Sequence, residues 1–148
     1  MLATLCDLTI ASEEAVFGQV GPKVGSVDPG FGTAYLARLV GEKRAREIWY
    51  LCRRYTAKEA YDMGMVNAVV PADKLDEEID KWCAEICEKS PTAIAIAKRS
   101  FNADSENLRA IGALGFEALA LFYGTEESKE GGRAFREKRK PDFRSKKK

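Results

Sequence analysis

Two spacings of apolar residues run through this chain, and the change from one to the other divides it. Leu2–Ala11 (LATLCDLTIA) is apolar and β-branched toward its end, which predicts a strand stopped by polar Ser12, Glu13 and Glu14. Ala15–Gly18 predicts a second short extended piece, and Val66–Val70, closed by Pro71, a third. Helical spacing marks Thr33–Val40, ended by Gly41, and Lys43–Cys52, where Ala45, Ile48, Trp49 and Cys52 share a face. Thr56 and Glu59 predict a capping box for the short helix TAKEAYDM, which Gly64 ends. Asp73–Lys89 repeats Leu75, Ile79, Trp82, Cys83 and Ile86 at helical spacing. Ser90–Pro91 predicts an N-cap and first-turn proline for a helix to Asn102 that buries Ile94, Ala97 and Phe101. Ser105 predicts the start of another helix, striped by Leu108, Ile111, Gly115, Leu119 and Phe122; Thr125 starts the last, which runs toward Arg139 and stops before Pro141.

Residues 1–90 thus mix strands and helices, and residues 91–148 are helical. An apolar stripe on so small an appendage predicts that it packs on another surface. Between the second extended piece and the first long helix lies a different kind of sequence, FGQVGPKVGSVDPGFGTAYLARLV from Phe17 to Val40. Gly18, Gly21, Gly25, Gly30 and Gly32 with Pro22 and Pro29 fix a loop whose backbone can approach a ligand closely. It ends at a helix start, where free N–H groups favour negative charge. Ser26 and Asp28 stand just upstream. Catalysis and simple capping of the helix both remain open for them.

Composition narrows the chemistry. The 45% apolar content suits one globular core, and 24 basic against 23 acidic residues leave a formal charge of +1. No global field favours nucleic acid or a membrane surface, and no apolar run approaches the ~20 residues of a membrane span. No signal peptide is evident at Met1. The basic run Lys138–Lys148 reads as a solvated terminus. With no histidine in the chain, a metal site or a Ser-His or Cys-His nucleophile is not expected. Cys6, Cys52, Cys83 and Cys87 read as reduced core thiols of a cytoplasmic protein.

The run from Ala11 to Gln19, followed by Gly25 and the Gly/Pro elbow, resembles the crotonase (enoyl-CoA hydratase/isomerase) superfamily. More narrowly, GQ-x-GPKVGS-x-D-x-G-x-G, AREIWYLCR and MG-x-VN-x-VVP resemble 1,4-dihydroxy-2-naphthoyl-CoA synthases and 2-ketocyclohexanecarboxyl-CoA hydrolases. The resemblance implies an α/β fold: a partial crotonase (ClpP-like spiral) core over residues 1–90, then a helical oligomerisation or lid region over 91–148. It covers the whole chain but only the C-terminal half of such an enzyme, so the sequence looks truncated. The backbone donors of the family's oxyanion hole are expected before Leu2.

What the resemblance implies for residues follows from that chemistry, in which a thioester enolate is stabilised by fixed N–H donors. Hydratases of the superfamily carry a glutamate where this chain has Gly21, so simple hydration lacks one carboxylate. Members with glycine there resemble those that bind bicarbonate as the missing base, and Gln19 and Trp49 match its amide and indole donors. A loop hydrogen bond for Gln19 and core packing for Trp49 are the plainer alternatives. Ser26, Asp28 and Tyr123 match residues placed at the second carbonyl in Claisen or reverse-Claisen chemistry; capping and core packing compete with those roles. Phe135 and Lys138, with Arg139, match the end of the family pattern that meets coenzyme A, although basic residues there also suit a helix C-terminus. The implied partners are an acyl-CoA substrate, a homo-oligomer (a trimer or a dimer of trimers) and, in one version, a separate chain supplying the N-terminal half. An enoyl-CoA hydratase/isomerase-like protein, or a catalytically silent oligomerisation module, are the alternatives.

Overall fold

The computed structural model describes residues 1–28 and 31–144, with Arg109 described by its backbone alone. Pro29 and Gly30 of the elbow, and the last lysines of the basic run, lie outside the described residues.

The N-terminal apolar run is not one strand. Leu2–Leu5 is a helical turn (α1), with the N–H groups of Thr4 and Leu5 donating to Met1 O at 3.0 and 3.2 Å, and only Ile10–Ser12 (β1) is extended. The reason is pairing: strand backbone needs a partner, and Ala68–Val70 (β4) lies parallel to β1 only from Ile10↔Ala68 to Ser12↔Val70. Val16–Phe17 (β2) pairs antiparallel with Tyr55–Thr56 (β3). These two small sheets frame a core under helices Ala34–Val40 (α3), Glu42–Leu51 (α4) and Ala57–Asp62 (α5).

Within that core, Leu36, Ile48, Ala57 and Ala60 are at most 1% exposed, and Trp49, Tyr55, Met65 and Val66 join them. Gly41 takes φ 78°, which ends α3 and lets α4 start at once in a new direction. The capping box of α5 forms as the sequence predicts: Thr56 Oγ1 accepts from Glu59 N, and Glu59 accepts from Thr56 N at 2.8 Å. That backbone bond, followed by the Thr56 hydroxyl, holds the Glu59 carboxyl below its usual range.

After a short 3-10 turn, Leu75–Cys87 (α6) ends the first part, and Pro91–Asp104 (α7), with Ser90 as its side-chain cap, opens the helical part. Arg109–Tyr123 (α8) and Glu126–Arg136 (α9), capped by Thr125, complete it. Here burial departs from the sequence expectation. α7 buries none of its residues, and Ile94, Ala97 and Phe101 are exposed, because no element among the described residues covers that face. Cys6, Cys83 and Cys87 are exposed free thiols rather than core thiols, and Cys52 is half-buried. No helix among the described residues is long and apolar enough to cross a membrane.

Candidate functional site

Gly21–Val24 forms one helical turn (α2) with Pro22 in its first turn, and Gly25 closes it in the left-handed region at φ 69°. The Ser26 N–H donates to Gly21 O at 2.8 Å, which folds the chain back and presents the Ser26 side chain beside α8. There Ser26 Oγ lies 3.2 Å from the hydroxyl of Tyr123, the last residue of α8. Two residues separated by most of the chain thus form a hydroxyl pair in which either oxygen can donate. Tyr123 is exposed rather than packed in a core.

Ser26 of this pair lines a cleft of about 290 Å³ whose walls also include Pro22, Gly25, Asp28, Thr33, Trp49, Tyr50, Phe122 and Glu127, while Tyr123 reaches it only through Ser26 and its neighbour Phe122. Thr33, Trp49 and Tyr50 also border a neighbouring cleft of about 320 Å³ that continues along α3 and α4. Tyr50 and Glu127 carried no signal in the sequence. Each follows a residue that did: Tyr50 flanks Trp49, and Glu127 lies in the first turn after the Thr125 cap.

Asp28 also lines the cleft, but its carboxylate is occupied. Oδ1 accepts from Gly32 N at 3.0 Å, and Oδ2 accepts from Thr33 N at 2.7 Å and Thr33 Oγ1 at 2.8 Å. Three donors on one carboxylate tie Asp28 to the elbow's exit just ahead of α3, whose N-cap is Thr33. Base work by Asp28 would first require breaking these contacts.

Trp49, buried under the elbow, gives its indole N–H to Gly32 O at 3.2 Å. Its ring also fills the space beside Gly21, where an added Cβ would stand 2.8 Å from Trp49 Cζ3 and 3.0 Å from Ser26 O. Glycine at position 21 therefore makes room for the indole, not for an anion. Gln19 is half-buried and is not part of the cleft wall. In this arrangement the indole N–H expected to hold bicarbonate is given to Gly32 O, and Gln19 lies apart from the cleft wall.

The coenzyme A candidates lie outside the cleft. Phe135 is 84% exposed, and Lys138 is exposed in a left-handed turn at φ 52°. Arg139 is committed to Glu130 and Glu137. Among the described residues no group of three His, Cys, Asp or Glu is placed to hold a metal ion.

A family model for enoyl-CoA hydratase/isomerase matches residues 1–146. Among solved structures, an enoyl-CoA hydratase from Mycobacterium avium subsp. paratuberculosis K-10 is similar at 32% identity and TM-score 0.90, over 96% of this chain and 58% of that one. An enoyl-CoA hydratase/isomerase from Pseudoalteromonas atlantica T6c matches at 27% identity and TM-score 0.90, over 95% of this chain and 57% of that one. A methylmalonyl-CoA decarboxylase in complex with 2-nitronate-propionyl-CoA matches at 27% identity and TM-score 0.80, over 97% and 56%. The chain therefore spans less than three fifths of the length of these structures.

Proposed function

The chain belongs to the enoyl-CoA hydratase/isomerase (crotonase) family, and on that premise we propose that it forms one wall of an acyl-CoA enzyme that opens or closes a ring by Claisen-type chemistry. The observation that carries this reading is the hydroxyl pair that Tyr123 makes with Ser26, a residue of the cleft wall, where position 21 offers no carboxylate. Adding water across an enoyl-CoA calls for paired acid and base carboxylates. Two neighbouring hydroxyls suit a different task, hydrogen bonding to the oxygen of a second carbonyl.

In the ring-opening direction, water adds to the ring ketone and the adjacent ring C–C bond breaks. Its electron pair enters the thioester enolate, and a proton returns to the α-carbon. One water is consumed, and the former ketone leaves as a carboxylate on the opened chain. Ring closure forms that C–C bond and releases water. Ser26 and Tyr123 hold the oxygen of the second carbonyl, while Asp28 fixes the elbow that carries Ser26. Donors for the thioester oxygen would be supplied by residues other than these 148, from a further segment or a separate chain. Residues 91–148 would form the lid and oligomer contact of a trimer or a dimer of trimers, with Phe135 and Lys138 toward coenzyme A.

The assay is direct. A cyclic β-keto acyl-CoA, its ketone in the ring, and a 2-enoyl-CoA are incubated separately with the protein, and products are followed by mass spectrometry. We expect the cyclic ketone to open to a dicarboxylic monothioester and the enoyl-CoA to persist. Hydration of the enoyl-CoA instead would favour a hydratase/isomerase-like role. Inertness toward both, with self-assembly intact, would favour the silent module.

A further inference from the structure

The proposed chemistry depends on where the elbow holds Ser26, and residues outside the cleft grip that elbow. α9 meets it at Gly131, where an added Cβ would stand 1.8 Å from Val24 O and 3.0 Å from Gly25 N. Only glycine lets helix backbone approach loop backbone so closely. On Gly25 itself, an added Cβ would meet Phe143 Cε1 at 3.1 Å. Phe143 lies beyond the end of α9, so the chain has to turn back to bring it there.

One side chain accounts for that return. Glu130 accepts from Arg139 through both guanidinium nitrogens, the Nη2 bond at 3.0 Å, and from the backbone N–H of Asp142 at 2.8 Å. Arg133 Nη1 stands 3.8 Å from its Oε2. At 7% exposure Glu130 is the one buried acidic or basic residue among the described side chains. A buried carboxylate is tolerated only when paired and hydrogen-bonded in this way.

We propose that Glu130 is a positioning residue: with Arg139 it closes the C-terminal residues over Gly25 and so fixes the approach of the Ser26 and Tyr123 hydroxyls. The link to Ser26 is covalent, because Ser26 follows Gly25 and its N–H closes the α2 turn. The link to Tyr123 runs through Gly124 and Thr125, the short joint between α8 and α9. The catalytic consequence rests on the function proposed above. The mechanical one does not.

Glu130→Gln keeps the shape and removes the charge. Hydrogen exchange of the whole chain, read by mass spectrometry, is expected to quicken at least about fivefold over residues 21–27 while α5 keeps its protection. Gly131→Ala, which attacks the contact directly, is expected to do the same. Arg139→Lys keeps the charge but loses the fork, and should fall between wild type and Glu130→Gln. If α5 also loosens in Glu130→Gln, Arg139→Lys decides, and its elbow must still exchange faster than wild type. Unchanged elbow exchange across the three variants overturns the proposal. With a cyclic β-keto acyl-CoA, Glu130→Gln should lower kcat and leave KM in place; a raised KM with kcat intact overturns the positioning role. An elbow that responds in a protein that turns over no acyl-CoA leaves the clasp standing and removes the functional reading.

Discussion

In the α/β part, Ile48 is fully buried at the centre of a cluster drawn from α3, α4, α5 and the strands around them. On α7, Ile96 and Phe101 stand 62% and 77% exposed, although their helix has a side-chain cap in Ser90 and a first-turn proline. Capping makes a helix; an opposing surface makes a core. The helical part is fastened instead at a few points: Arg38 of α3 to Asp104 at 2.8 Å, Lys98 to Asp7, Phe31 against Gly112, and the Glu130 clasp. Exposed ion pairs of the first two kinds add little stability. The buried Glu130 carboxylate and the close approaches at Gly112 and Gly131 therefore hold the second part to the first more firmly than those ion pairs do.

The largest effect expected from this contrast is at Ile48. Ile48→Ala leaves a cavity where nothing can collapse from solvent, and should cost about 2–5 kcal/mol in urea unfolding followed by tryptophan fluorescence. Trp49 reports from the same cluster. A loss below about 1 kcal/mol would mean that the first part is not organised around α4.

Acid tests the other part. The Arg139 guanidinium first, and the Asp142 N–H second, hold the Glu130 carboxyl down from 4.5 to about 2. A folded value below the unfolded one means the clasp's contribution is complete above 4.5 and fades as pH falls from 4.5 through about 2. Proteolysis by an acid-active enzyme in this window should cut first near residues 137–144, while the Ile48 cluster keeps its fluorescence. In Glu130→Gln this acid dependence should disappear. Simultaneous loss of both parts would make them one cooperative unit.

What the sequence showed follows the same line. Local features were legible: the Thr56–Glu59 box, the Ser90 cap before Pro91, the Thr125 cap and the Gly-rich elbow all depend on residues within one turn. The Leu108–Phe122 stripe was also legible, with Leu108 buried and Ile111, Leu119 and Phe122 half-buried. Leu2–Ala11 was not, because a strand extends only as far as its partner, and β4 is three residues long. Asp28, Trp49 and Gly21 were identified as residues of one site, but their contacts with Gly32, Thr33 and each other depend on how the elbow turns. Glu130 gave no sign at all. In sequence it is one more charge on a charged helix, and only the return of Arg139 and Phe143 buries it.

The smallest effect expected within one chain is on α7, and it sharpens the comparison most. Phe101→Ser removes a ring that touches little, so the unfolding free energy of the dilute protein should stay within about 0.5 kcal/mol of wild type. The same ring, set against a neighbouring copy in the proposed trimer, would be a buried aromatic anchor. Its removal should then weaken assembly on the order of tenfold or more in sedimentation across a dilution series. The two measurements pull apart what burial in a single chain cannot distinguish, a surface that is merely apolar and one that is completed by another molecule. Equal assembly with and without Phe101 would place the oligomer contact elsewhere and leave the α7 face to solvent.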